Sequence, residues 1–229
     1  MDLKDKIIEL YENRESDKIF IFGVSMQNHY AYYPNEYGDI TVKMKDNEAS
    51  ALLTDEQKAK ICTYAMGVKL ADEALGALVD YFETKKEPVV IVFFGDHQPS
   101  FDDVDYNAVG LLSDTESEAQ NIKNQYTSSY VIWNNFGAGK NAVRDMSMYE
   151  LLPYMTKALG LSRPAYYSFL SDMAGAMSGS IKTLILDGDG SPVLPDKATE
   201  KQNEYLRKLW MLQYDISFGS RYADFMWDK

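Results

Sequence analysis

Cysteine occurs once in this chain, at Cys62, and histidine only twice, at His29 and His97. A single thiol excludes an internal disulfide and a cysteine-rich zinc site. Cys62 lies in "KAKICTYAMGV", a helical pattern, and reads there as a packed, inert thiol rather than a nucleophile. Positive charge is also scarce: 23 Lys+Arg against 35 Asp+Glu leave a formal charge of −12 at pH 7. With no basic stripe to displace counterions, nucleic acid is not an expected partner. The same charge opposes adsorption to an anionic membrane surface. No apolar run approaches the roughly 20 residues that cross a bilayer. The opening "MDLKDKIIEL" is charged and amphipathic, without the form of a signal peptide. Internal repeats, low-complexity tracts and linkers are absent too, so one domain, or most of one, is expected over residues 1–229. Met1-Asp2 also suits the start of a piece cut from something longer.

What is present is an ordinary globular composition, 45% hydrophobic and 25% charged, enough to build a core without disulfides. Residues 3–14 have apolar positions at helical spacing. "KIFIFGV", 18–24, is short, β-rich and apolar, and predicts a buried strand. The longest helical pattern runs over about 54–86, opened by Thr54 and Gln57 as a capping box. Pro88 ends it, and Val89–Phe94 predicts a second buried strand. "SSYVIWNN" predicts a third, "SMYELLPYMTKALGL" a helix closing at Gly160, "IKTLILDGDGSPV" a strand and turn, and "TEKQNEYLRKLWMLQYD" a closing helix. Strands separated by helices predict an α/β fold with a mostly parallel sheet and helices on both faces. Continuous rather than alternating apolar runs agree with that.

In such sheets ligands bind beyond the carboxyl ends of the strands. His97 follows Phe94 by three residues and His29 follows Val24 by five, which places both on one sheet edge. Asp96 and His97 together offer a carboxylate oxygen and an imidazole nitrogen, donors suited to Mn²⁺, Mg²⁺ or Zn²⁺. Gly95 lets the chain turn so that neighbouring side chains share a direction. The competing reading makes Asp96 a turn cap and His97 a loop residue; for His29 it is a histidine satisfied among tyrosines. Asp187, Asp189 and Ser191 alternate as in a calcium loop but lack its Gly and Glu positions, so a hairpin turn is expected. "FGAGKNA" lacks the full phosphate-loop spacing and also reads as a turn.

"IFIFGVSMQNHYAY", "VVIVFFGDHQP", "SSYVIWNN", "MYELLPYMTKALGL" and "LQYDISFGSRY" stand in an order that resembles one family. The chain is similar to the C-terminal half of the extracellular domain of lipoteichoic acid synthase-like enzymes. These are phosphoglycerol transferases of the sulfatase branch of the alkaline phosphatase superfamily. The resemblance spans about 18–223, with "FFGDH" and "QYDISFG" its specific parts. It implies that Asp96 and His97 are two ligands of a catalytic Mn²⁺ or Mg²⁺ and that His29 hydrogen-bonds the substrate phosphate. It implies transfer of glycerol phosphate from a phosphatidylglycerol headgroup to a glycan or polymer acceptor, through a phospho-threonine. The chain departs from that pattern. The family's nucleophile and Glu ligand precede this segment, and residues 1–28 contain no Thr. No catalytic nucleophile is therefore assigned here, and the chain is expected to be inactive alone and to bind metal weakly. The full protein is expected to be membrane-anchored and extracytoplasmic, and the isolated segment to be soluble and to self-associate. Transfer and hydrolysis, and phosphate and sulfate, stay open. The alternatives are a non-catalytic anion- or glycan-binding α/β module and a cytosolic protein whose Asp-His turn is structural.

Overall fold

A computed structural model describes residues 2–34, 36–101, 103–139 and 143–228. The contacts divide the chain into two compact units, one of residues 1–114 and 126–136, the other of 115–125 and 137–229.

The first unit is built on one long helix. Helix α1 (Leu3–Glu12) is followed by an extended, irregular stretch, a short α2 (Glu48–Ala51) and then α3 (Asp55–Glu83). The starts of α2 and α3 are both closed by reciprocal capping boxes, Asn47 with Ser50 and Thr54 with Gln57. Each box satisfies backbone donors that the first helical turn leaves orphaned. Helix α1 packs on the far end of α3 through Tyr11, whose ring meets Phe82 edge-on at 5.0 Å. The Arg14 guanidinium lies over the Tyr11 ring, 4.0 Å from its centroid. Strand β1 (Val90–Phe94) then pairs with β2 (Tyr130–Asn134).

That pairing corrects the expected parallel sheet. Strands β1 and β2 are antiparallel, in register from Val90 opposite Asn134 to Phe94 opposite Tyr130. The chain after β1 runs through a loop and the short helix α4 (Glu118–Tyr126) and returns in the opposite sense, so no crossover is made. The predicted strand at 18–24 is a second correction. The segment is extended but pairs with nothing among the described residues, and Phe20 stands 86% exposed. A lone strand leaves its amides and carbonyls to water, and apolar character alone does not hold it in a ladder. Strands β1 and β2 are also only half-buried rather than covered on both faces.

The second unit carries the larger apolar core. Helices α5 (Met148–Ala158), α6 (Ala165–Met173) and α7 (Glu200–Ser217) accompany an antiparallel sheet of β3 (Met177–Ile181), β4 (Leu184–Asp187) and β5 (Pro192–Val193). Leu170, Met173, Met177, Ile185 and Leu209 cluster at its centre. Each such side chain contributes about 1.5–3 kcal/mol on burial. Gln202 closes the capping box of α7 with Thr199 and sends its amide to Ala176 O and Asp187 Oδ1, at 3.1 and 2.9 Å. Glu150, only 3% exposed, leaves Oε1 without a partner among the described residues, and burial pushes its carboxyl up to about 7. The 187–191 segment is the expected hairpin turn: Asp187 N donates to Ser191 O, and Gly190 takes φ +87°.

Candidate functional site

The loop after β1 is fixed from both sides. Gly95 N donates to Ser129 O, extending the β1–β2 ladder by one step, and Ser128 Oγ donates to Gly95 O at 2.6 Å. Gly95 does not use the left-handed freedom expected of it, since its φ lies outside that region. Directly beyond it, Asp96 and His97 point into solvent, with side chains 84% and 71% exposed. Asp96 Oδ1 accepts from the His97 backbone N at 3.0 Å, while Oδ2 lies 3.7 Å from His97 Nε2. His97 Nδ1 contacts Gln98 O at 2.7 Å. A carbonyl only accepts, so that contact assigns a proton to Nδ1, and in the neutral ring Nε2 then carries the lone pair.

Two ligands at about 2.1 Å from one ion stand roughly 3.0 Å apart at the right angle of an octahedral site and roughly 3.4 Å apart at a tetrahedral angle. At 3.7 Å the Asp96 and His97 donor atoms stand a few tenths of an ångström wider, which a small rotation of two exposed side chains closes, and a carboxylate with a neutral imidazole is a fitting set for Mn²⁺, Mg²⁺ or Zn²⁺. Among the described residues no group of three or more His, Cys, Asp or Glu side chains gathers as a complete metal cage.

His29 is presented in the same manner. Its Nδ1 contacts Tyr30 O at 2.8 Å, which again leaves Nε2 as the acceptor. Its loop is locked onto the middle of α3. Gln27 Nε2 donates to Gly67 O at 2.9 Å, and Tyr37 Oη accepts from Asn28 N and donates to Asn28 Oδ1, both at 3.0 Å. A Cβ at position 67 would stand 1.7 Å from Asn28 Oδ1, so the approach requires glycine there. Asn28 itself sits at φ +64°, a conformation asparagine tolerates better than most residues. Gly67, one of two glycines inside the helical pattern, was the one visible signal for this contact.

The two histidine loops are tied together by aromatic rings. Tyr32, three residues past His29, is buried against Phe101 at 5.0 Å and Tyr64 at 5.4 Å, and its hydroxyl bonds the Ser100 backbone. Burial pushes the hydroxyls of Tyr32 and Tyr64 up, which keeps both neutral. The loop beyond His97 is braced in turn. Tyr106 Oη accepts from Phe101 N and donates to Pro99 O, and Lys60 holds the Asp103 carboxylate at 2.8 Å.

Other sequence candidates remain apart. Cys62 is half-buried on α3. Gly137 and Gly139 take positive φ, as a turn requires, while Lys140–Ala142 of "FGAGKNA" lie outside the described residues.

Residues 1–161 match the family described as Sulfatase. The chain belongs to the sulfatase family. A curated relative, a protein of Rhizobium meliloti (strain 1021) named for cyclic beta-1,2-glucan modification, is 28% identical over 211 residues, 90% of this chain and 32% of the relative. The solved Streptococcus pyogenes phosphoglycerol transferase GacH, in complex with sn-glycerol-1-phosphate, superposes with a TM-score of 0.61 at 22% identity. That match covers 85% of this chain and 43% of the other, and it places the chain in the sulfatase/alkaline phosphatase-like α/β fold. The chain thus spans about a third of the curated relative and less than half of the solved chain. No helix among the described residues is long and apolar enough to cross a membrane.

Proposed function

We propose that this chain is the part of a longer sulfatase-family enzyme, a phosphoglycerol transferase or closely similar ester hydrolase, that supplies two metal ligands and a phosphate-binding histidine. Asp96 and His97 hold a divalent cation, Mn²⁺ or Mg²⁺, and His29 meets the phosphate of the substrate. The nucleophile belongs to the rest of the longer protein, so the chain alone does not turn over. The observation that carries this reading is the 3.7 Å separation of Asp96 Oδ2 and His97 Nε2 at the end of β1, with the imidazole tautomer fixed for ligation. A divalent cation bound there would neutralise charge on the transferring group and favour the nucleophile's ionised form. The work of the protein's own groups is to orient the ester and to turn Nε2 of each histidine outward.

The donor in this reading is a phosphatidylglycerol headgroup. The name of the Rhizobium relative favours a glycan as acceptor. Such substrates place the enzyme at the cell envelope, outside the cytoplasm. The test is release of diacylglycerol from phosphatidylglycerol by the longer protein, with a β-glucan as acceptor. EDTA, Asp96→Ala and His97→Ala should each reduce the rate by at least a hundredfold, and His29→Ala by tenfold or more. Release unaffected by EDTA and by His97→Ala would refute the assignment.

A further inference from the structure

Immediately beyond His97 the chain forms one wall of a cavity of about 330 Å³ that the metal and phosphate assignments leave unused. Gln98 and Pro99 line it, together with Leu53, Ile61, Phe101 and Val104 from α3, its approach and the braced loop. It lies within the first unit, and hydrogen bonds hold its walls in place. Several of its polar groups are engaged within the protein, and its lining is mainly apolar. Ser50 Oγ donates to Asn47 O and accepts from Asn47 N, at 3.0 and 2.9 Å. The Tyr106 hydroxyl serves Phe101 N and Pro99 O, and the Gln98 amide donates to Thr127 O. A sugar or a second phosphate would find few groups there to replace its water. An apolar chain loses nothing by entering, and the size is that of about ten units of roughly 30 Å³ each. A helix or a sheet edge does not fit such a volume.

We infer that this cavity is a subsite for a single alkyl chain, the apolar substituent of an ester whose phosphate is held at Asp96, His97 and His29. Its place in the reaction rests on the function proposed above; its existence as an alkyl pocket does not. The subsite would select lipid-linked esters over free glycerol phosphate by apolar contact next to the reacting group.

The test uses two series of ligands on the same chain, followed by calorimetry: n-alkyl alcohols, which probe the pocket alone, and n-alkyl phosphates with Mn²⁺, which probe pocket and metal site together. Affinity for the alcohols should rise about fourfold per methylene and level off near ten carbons. Ala49→Trp and Val109→Trp, each filling the cavity from a half-exposed lining position, should abolish that rise while circular dichroism and melting stay unchanged. Phosphates should bind more tightly than the matching alcohols, and Asp96→Ala should remove the difference. An alcohol series that levels off and is blocked by Trp, without any gain from phosphate, upholds the pocket and refutes the metal-site reading. A flat series, or one that keeps rising and ignores both Trp variants, overturns the pocket whatever the phosphates do.

Discussion

At the scale of single residues, hydrogen bonding orients the histidines, and burial sets the protonation of Glu150. Both imidazoles direct Nδ1 to the carbonyl of the following residue, Tyr30 or Gln98, so each offers Nε2 outward. Glu150 is a carboxyl withdrawn from water with one oxygen unpartnered among the described residues, its pKa raised to about 7 by burial against a smaller opposing effect of Arg144. The unfolded chain ionises this group near 4.5, so stability is greatest below that pH. It declines as pH rises toward 7 and is constant above. The loss is on the order of 2–3 kcal/mol. Urea denaturation at pH 5 and pH 8 should show that drop in the parent and little of it in Glu150→Gln. Equal drops in both would place the pH dependence elsewhere.

At the scale of elements, Asn135 links the end of α3 to the start of β1. Its amide nitrogen donates to the carbonyls of Phe82, Lys85 and Glu87 at 3.1, 3.1 and 2.9 Å, and its Oδ1 accepts from Val89 N at 2.8 Å. The first of those carbonyls lies in the last turn of α3, where helical partners run out, and the other two in the segment that leads to β1. Asn135→Ala should cost about 2–3 kcal/mol in chemical denaturation, with Asn135→Asp no better because the donors are lost. A loss below about 0.5 kcal/mol would mean water replaces the amide. Much of this level was legible in the sequence. The Thr54–Gln57 box, the run ending at Phe94, the helix closing before Gly160 and the 187–191 turn are local, and local patterns record them. The partners of the strands are not local. The antiparallel sense of β1 and β2, the unpaired state of 18–24 and the Asn135 bridge depend on residues tens of positions apart, to which periodicity is blind. The contact of Asn28 with Gly67 left only the trace of a glycine inside a helical pattern.

At the scale of the whole molecule, the candidate site gathers on one structural theme. One short strand projects Asp96 and His97, one helix secures the loop of His29, and Tyr32 joins the two loops through Phe101 and Ser100. The "FFGDH" stretch announced the first of these, whereas the bracing tyrosines gave no sign in the sequence, being a few among seventeen. Phe20, Phe22, Val24 and Met26 stand exposed along the extended segment before His29, an apolar edge open to any strand that reaches it. The central claim is that Asp96 and His97 hold one divalent cation and that His29, the phosphate-binding histidine, lies close to it. With only two histidines in the chain, the imidazole Hε1 region of a proton spectrum contains two resonances. On titration with Mn²⁺ both should broaden ahead of the other aromatic signals, and Asp96→Ala should abolish the effect at the same concentrations. Broadening of His97 with His29 left sharp, or a response unchanged by Asp96→Ala, would contradict it.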